Sequence, residues 1–278
     1  MKTIVLGIIA ASFAFEASAL PLAPAKSLDT QITKTTGYDF EGIVKLSNCS
    51  GSLIKFAGQP DSSPAYVLTN GHCLGGGFVD PGTAIVNKKV TRSMRIADKK
   101  HKYKSVTAVK IAYGTMTGTD AALYELKETY QDIRKKYGIE ALDLDTVRPF
   151  EGLEIEIVSG YWDRGYTCNV DGFVYELREA DWTWNDSIRY SKPGCETIGG
   201  TSGSPIIAKG TRTVIGINNT GSEKGQKCTM NNPCEVTEAG VITATKGTSY
   251  GQQTYQFNNC LTADFRIDPS LEGCTLTK

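Results

Sequence analysis

The chain lacks an excess of charge of either sign, and it has little histidine. Its 278 residues contain 30 Lys and Arg against 30 Asp and Glu. A nucleic-acid binder needs surplus positive charge to neutralise phosphates, so the composition gives no support for that class of function. Only 2 histidines are present, which limits the candidates for an imidazole acid-base group to His72 and His101.

Long apolar runs are also missing. The longest, "TIVLGIIAASFAF" after Lys2, is shorter than the run of about 20 residues that a membrane-spanning helix requires. It follows a charged start and precedes the small residues "ASA", which is the pattern of a secretory signal peptide cleaved after Ala19. We therefore predict a secreted, extracellular protein without a membrane anchor. Residues 1–19 would be the signal peptide, and residues 20–37 a leader or possible propeptide.

Cysteine, by contrast, is well represented after the signal region. In an oxidising compartment an even number of cysteines indicates a disulfide framework. The 8 cysteines allow about 105 pairings, so order alone leaves connectivity open, and pairing of neighbours is the first expectation. The one close His/Cys pair is His72 beside Cys73, which is not the ligand spacing of a zinc site, so no metal or cofactor is predicted.

Short strand-forming runs dominate the mature chain. They extend from "GIVKL" to "QTYQF", are rich in β-branched and aromatic residues, and are separated by Gly, Pro, Asn and Asp, which indicates an all-β sandwich or barrel. One segment, "ETYQDIRKKYGI", has helical spacing, with Thr129 as N-cap and Gly138 after its end. The expected units are a β unit at about 38–126, a helical connector at about 127–147, a second β unit at about 148–258 and a tail at 259–278.

The stretch "TIGGTSGSPI" is the best candidate for a catalytic loop. A serine such as Ser202 is a weak nucleophile unless a base, usually His, lies beside it and a third group orients that base. His101 lies among lysines that disfavour a protonated imidazole, whereas His72 follows the apolar run "AYVLT" and precedes a cysteine. Asp120, at the start of the apolar run "AALYEL", is the best candidate for the third group.

The order "LTNGHC", "TDAALYEL", "GGTSGSPI" resembles the His, Asp and Ser motifs of the chymotrypsin-like (trypsin-like) serine proteases, over about residues 42–258. The resemblance implies two six-stranded antiparallel β-barrels with the catalytic cleft between them, and an endopeptidase that acts on protein or peptide substrates. It implies His72 as general base, Asp120 as its orienting group and Ser202 as nucleophile. The backbone N–H groups of Gly200 and Ser202 would form the oxyanion hole.

The resemblance also gives the cysteines a pattern. It implies one disulfide beside the predicted base. Pairing of neighbours gives three more: one that braces the serine loop, one that closes a short surface loop and one that closes the tail. These pairs are Cys49 with Cys73, Cys168 with Cys195, Cys228 with Cys234 and Cys260 with Cys274.

Several motifs are nearer to the bacterial glutamyl-endopeptidase branch than to digestive trypsins, among them "SGYW", "VIGIN" and Thr201 before the nucleophile. Thr201 cannot carry the negative charge on which trypsin-type activation depends, so that switch is not expected. Counting back from the serine puts Glu196 at the base of the primary pocket, where it would favour Arg or Lys. The competing interpretation, from the glutamyl-endopeptidase branch, puts Thr197 and Asn218 on the pocket wall, but Asn218 stands where glutamate-selective relatives have a histidine, so a preference for glutamate is disfavoured. The alternative is that Glu196 points to solvent, because charged residues are rarely buried unpaired.

Two function classes remain at this point. The first is a secreted serine endopeptidase, and the second is a binding or activating protein that keeps the protease fold with weak turnover. Fold alone does not separate them, since function depends on the site. The complete set of three residues favours the enzyme, because binding alone would not require all of them.

Overall fold

The computed structural model describes residues 37–278. The predicted signal peptide and nearly all of the predicted leader lie outside these residues. The described part contains fifteen strands and one α-helix. The strands are β1 (Ile43–Lys45), β2 (Ser50–Lys55), β3 (Pro64–Thr69), β4 (Ala84–Ala97), β5 (Tyr103–Thr115), β6 (Ala121–Thr129), β7 (Leu142–Leu144), β8 (Glu154–Ser159), β9 (Arg164–Glu179), β10 (Trp182–Tyr190), β11 (Pro205–Ala208), β12 (Thr213–Gly221), β13 (Cys234–Val236), β14 (Ile242–Thr243) and β15 (Ser249–Gln253). The helix α1 spans Tyr130–Tyr137.

Strand pairing closes into two rings of six strands. The first follows the order β1, β4, β5, β6, β3, β2 and is closed by pairing of β1 with β2. The second follows β12, β11, β8, β9, β10, β15 and is closed by pairing of β12 with β15. All of these pairs are antiparallel. The prediction of an all-β chain is confirmed.

The short strand β7 links the rings, because it pairs in parallel with β2 on one side and with β12 on the other. A buried apolar cluster lies at this junction. It combines Ile54 and Leu123 of the first ring with Ile207 and Val214 of the second, and each of these side chains is at most 4% exposed. Burial of such side chains contributes about 1.5–3 kcal/mol each, so the shared cluster fixes the two rings to each other.

Helix α1 lies where the sequence predicts a connector and has the predicted caps. The Thr129 hydroxyl accepts a hydrogen bond from the Asp132 N–H, and the Asp132 carboxylate accepts from the Thr129 N–H, which is a capping box. Gly138 ends the helix in the left-handed conformation at φ 67°. Ile133, on the inner face, is fully buried in the core of the first ring.

The strand prediction is wrong at "QTYQF". Strand β15 ends at Gln253, and a 3₁₀ helix spans Tyr255–Cys260 instead. Phe257 and Cys260 are both buried, and the three-residue turn of a 3₁₀ helix is the geometry that puts residues three apart on one side. The aromatic residues of this segment favour a strand by composition, but composition does not reveal that the buried residues are spaced three apart instead of two.

The prediction of a disulfide-bonded chain is confirmed. No cysteine is free among the described residues, and each is bonded to its neighbour in sequence order. The four bonds join Cys49 to Cys73, Cys168 to Cys195, Cys228 to Cys234 and Cys260 to Cys274. In residues 37–278 no helix has the length and apolar character needed to cross a membrane.

Candidate active site

His72 lies in a tight turn directly after β3. The turn is a 3₁₀ helix over Gly71–Cys73, and the disulfide to Cys49 ties its end to the first ring. Glycine is required at position 71, because a Cβ there would lie 2.0 Å from the carbonyl oxygen of Thr115. The close approach of this backbone to β5 therefore fixes the position from which the imidazole projects.

Asp120 precedes β6 and is fully buried. Its Oδ2 lies 2.7 Å from His72 Nδ1, and its Oδ1 accepts a hydrogen bond from the His72 N–H at 3.1 Å. Asn70 Nδ2 donates to the Asp120 carbonyl at 2.7 Å and so holds this backbone. One carboxylate thus orients both the ring and the main chain of His72, and it selects the tautomer that leaves Nε2 without a proton.

The pKa of His72 reflects opposing effects. Burial lowers it, because a charged imidazolium loses hydration. The charge of Asp120 and its hydrogen bond raise it, and the negative charge of Glu179 adds to them. The balance leaves the His72 pKa above its ordinary value.

Ser202 lies in the loop before β11 and lines the same cavity as His72 and Asp120. Its hydroxyl donates to the carbonyl oxygen of Asn219 at 3.1 Å, and its own carbonyl accepts from the N–H of Ser50 at 2.8 Å. Gly203 has φ 78°, and a Cβ there would lie 2.2 Å from the carbonyl oxygen of Ser50. The serine loop is therefore held against the first ring at a point where only glycine fits.

The two predicted oxyanion-hole donors are the backbone N–H groups of Gly200 and Ser202. Among residues 37–278, no hydrogen bond uses the N–H of Gly200 or of Ser202. Gly200 adopts φ 88°, and a Cβ at this position would lie 2.8 Å from the ring of Tyr161. The preceding carbonyl, that of Gly199, accepts a hydrogen bond from Trp162 Nε1 at 2.7 Å. Two backbone donors are thus available close to the serine.

The predicted pocket residues divide into two groups. Thr197 and Asn218 line the cavity, and the Asn218 side chain accepts from the Tyr190 hydroxyl at 3.2 Å. Glu196 does not line it: the residue is exposed, and its carboxylate accepts from the Gly194 N–H at 2.9 Å. The prediction of Glu196 at the base of the pocket is not supported, because its carboxylate is stabilised by the Gly194 N–H and by solvent outside the cavity.

His101 lies away from this cavity. Its ring stacks on Phe40 with centroids 3.8 Å apart, and its Nε2 lies 3.1 Å from a carboxylate oxygen of Asp163. Neither it nor these partners line the cavity. Cys49 and Cys73 lie near His72, but a disulfide joins them, so their sulfurs are not thiolates that could bind a metal.

Sequence reasoning missed Glu179, the last residue of β9. It is 5% exposed and lines the cavity with the three candidate catalytic residues. The available signal is alternation along the strand, since the buried Leu177 and Glu179 lie two residues apart and on one face. A charged residue at an inward-facing strand position indicates a special role for its carboxylate.

The trypsin-like peptidase domain model matches residues 49–217, which include all three candidate catalytic residues. The chain belongs to the trypsin-like peptidase family. Membership makes it a serine endopeptidase, a hydrolase of peptide bonds in protein or peptide substrates. No curated protein matches the chain.

Solved structures similar to this trypsin-like chain are proteases. The Nocardiopsis protease is 15% identical, with 83% of this chain and 100% of that chain covered and a TM-score of 0.47. The MamO protease domain of Magnetospirillum magneticum is 12% identical, with 77% and 92% covered and a TM-score of 0.46. A glutamic acid specific serine protease is 14% identical, with 76% and 91% covered and a TM-score of 0.42.

Proposed function

We propose that the chain is a secreted serine endopeptidase that uses His72, Asp120 and Ser202 as a catalytic triad. The observation that carries the proposal is the 2.7 Å contact between His72 Nδ1 and Asp120 Oδ2 in a cavity that Ser202 also lines. This contact leaves the second imidazole nitrogen able to accept a proton, which is what activation of a serine requires.

The proposed reaction proceeds through an acyl-enzyme. His72 Nε2 takes the hydroxyl proton as Ser202 Oγ bonds to the scissile carbonyl carbon, and the N–H groups of Gly200 and Ser202 stabilise the oxyanion. The C–N bond then breaks, and the imidazolium gives its proton to the leaving amine. Water, activated by the same imidazole, attacks the ester, which releases the acid and restores the serine hydroxyl.

In the first step the Ser202 hydroxyl must donate to His72 Nε2 instead of to the Asn219 carbonyl. In the structure this hydroxyl donates to the Asn219 carbonyl at 3.1 Å. Catalytic hydrogen bonds are often formed only in the complex with substrate, so this contact is compatible with the proposed role. Rotation of the hydroxyl toward His72 is the change that substrate binding must favour.

Secretion is part of the proposal. The apolar run and small-residue site at residues 1–19 support it, and four disulfides fit an oxidising compartment. The proposed organisation after the signal peptide is a leader or possible propeptide at 20–37, the protease domain at 38–258 and a disulfide-closed tail at 259–278. A preference for substrates with Arg or Lys also belongs to the proposal. Its basis is a carboxylate that lines the cavity, which the carboxylate of Glu196 does not.

A fluorophosphonate probe tests the proposed function directly, because it labels only a serine that a functioning site activates. We expect labelling of the purified protein and cleavage of members of a peptide library. A binding protein that has lost turnover would give neither. Absence of both, in a protein shown to be folded by circular dichroism, would contradict the enzyme proposal.

The pH dependence should follow the titration of His72, since only a neutral imidazole accepts the serine proton. Its pKa is raised above the ordinary 6.5, so kcat/KM for an uncharged peptide should reach half its maximum above that pH. Glu179→Gln removes one of the negative charges that raise the His72 pKa. The acid limb of the profile, which is the rise of kcat/KM as His72 loses its proton, should therefore move to lower pH.

The control for the pH experiment is Glu176→Gln, which changes the same residue type three positions earlier on β9. Glu176 pairs with Arg178 and does not line the cavity, so the limb should stay where it is. An acid limb that stays in place in Glu179→Gln would show that the titrating group does not sense this carboxylate.

A further inference from the structure

The Glu179 carboxylate is buried at the inner end of β9. One of its oxygens accepts from the Thr220 hydroxyl at 2.6 Å and the other from the Asn231 N–H at 2.8 Å. No ion pair to it is present among residues 37–278. Burial raises the pKa of this carboxyl, which reflects the cost of keeping an unpaired charge out of water. A cation delivered by a ligand would remove that cost.

The whole cavity has a negative bias. Of residues 37–278, three acidic residues line it, namely Asp120, Glu179 and Glu223, and no Lys or Arg does. His72 is the one titratable base that the described part of the chain places on the wall, and Asp120 already pairs with it. A cleft with low-dielectric walls and charge of one sign attracts ligands of the opposite sign.

The apolar walls suit a cation as well. Trp182 and Trp184 line the cavity, and each indole is fixed by a hydrogen bond, from Trp182 Nε1 to the Val79 carbonyl at 3.0 Å and from Trp184 Nε1 to the Met116 carbonyl at 2.9 Å. Phe78 packs against Trp182 edge to face with centroids 5.3 Å apart. Fixed indole rings can bind the stem of a long side chain and attract its charged end.

Asn219 supplies an independent indication that the cavity binds a polar group. The residue is 3% exposed and lines the cavity, and neither its Oδ1 nor its Nδ2 has a hydrogen-bond partner within residues 37–278. A buried amide without a hydrogen-bond partner is costly, because it has lost its hydrogen bonds to water. A guanidinium, which has five donors in a planar fork, can donate to this amide oxygen and to a carboxylate together.

We infer that Glu179 and Asn219 form a subsite that binds a basic side chain, Arg before Lys, of the peptide substrate. The inference rests on the proposed peptidase function. It assigns the selectivity for a basic side chain to Glu179, at the inward-facing end of β9. Counting back from Ser202 in the sequence points to Glu196 instead.

The test is a peptide set in which a single Arg, Lys, norleucine or Glu is moved through the four positions before the scissile bond. At one position Arg should raise kcat/KM over norleucine about 10- to 100-fold, the range expected for a charged hydrogen bond. In Glu179→Gln this preference should fall to within about threefold, while fluorophosphonate labelling is retained. The glutamine amide keeps an acceptor for Asn231 and a partner for Thr220, so the fold should be kept.

Two control variants separate the alternatives. Glu176→Gln should keep the preference, because its carboxylate pairs with Arg178 outside the cavity. Glu196→Gln should also keep it. Loss of the preference in Glu196→Gln but not in Glu179→Gln, or no preference for a basic residue in the labelled wild type, would overturn the inference and leave the peptidase proposal standing. A wild-type protein that does not react with the probe would refute both.

A second observation concerns the oxyanion hole. Trp162 Nε1 donates to the Gly199 carbonyl at 2.7 Å. The peptide that follows is trans, since the one cis bond among the described residues is Lys192–Pro193, so the Gly200 N–H points away from Trp162. We propose that Trp162 is a positioning residue, which holds this peptide in the orientation that directs the Gly200 N–H to the oxyanion.

Trp162→Phe tests this role, since it keeps an aromatic ring and removes the donor. We expect kcat to fall about tenfold or more with KM little changed, because the lost interaction acts in the transition state. The Ki of a peptide aldehyde, whose tetrahedral adduct carries an oxyanion, should rise by a similar factor. If kcat and Ki are unchanged in Trp162→Phe, the indole N–H has no positioning role; if KM rises with kcat unchanged, Trp162 is a substrate contact instead.

Discussion

Ser202→Ala is expected to lower kcat roughly 10⁶-fold, to the residual rate that binding and oxyanion stabilisation give without a nucleophile. The structure leaves few substitutes for this hydroxyl, since Ser204, two residues away, is fully buried and donates to the Thr201 carbonyl at 2.6 Å. The measurement is kcat with a fluorogenic peptide, together with fluorophosphonate labelling, which should disappear. Equal labelling of Ser202→Ala and wild type would refute the assignment of the nucleophile.

The histidines provide a matched control for this result. His72→Ala should be as severe as Ser202→Ala, because residues that act as one unit have non-additive effects, and the double variant should be little worse than either single one. His101→Ala should keep activity, since its ring packs on Phe40 and pairs with Asp163 outside the cavity. A severe loss in His101→Ala alone would move the catalytic base to that residue.

Asp120→Asn is expected to lower kcat about 10⁴-fold. The reason is the tautomer: the carboxylate only accepts hydrogen bonds, from His72 Nδ1 and from the His72 N–H, whereas an amide group can donate to Nδ1 and so stabilise the proton on Nε2. An imidazole protonated on Nε2 cannot accept the serine proton. The loss of the negative charge should also lower the pKa of His72.

The control for Asp120→Asn is Asp171→Asn, which breaks an exposed ion pair with Arg189. Exposed pairs contribute about 0–1 kcal/mol, so activity should change little. The decisive readout is the pH profile, because a purely structural role for Asp120 would reduce the amount of folded protein without moving the acid limb. An unchanged acid limb in Asp120→Asn would contradict the proposed contact with the base.

Local features of the sequence determine much of this protein. Alternation and β-branched composition mark most strands, and Thr129 and Gly138 mark the helix ends. Neighbour pairing gives the disulfides, because hairpin-rich folds keep residues that are close in sequence close in space. The short strands β7 and β13 escape prediction, since "LDL" and "CEV" each have a central acidic residue, a type that is depleted in strands.

Only the tertiary structure decides which groups meet in the cavity. Glu196 and Glu179 are both charged residues near turns in the sequence, yet one is solvated and the other is buried beside Thr220. Alternation along β9 puts Glu179 on the inward-facing side of the strand, but its burial and its partners depend on closure of the second ring, which brings the end of β9 to β12 across a separation of 41 residues. The contact of Trp162 with Gly199, 37 residues apart, has the same origin. Sequence therefore names the chemical groups through local pattern, whereas long-range strand pairing determines their burial, charge environment and partners.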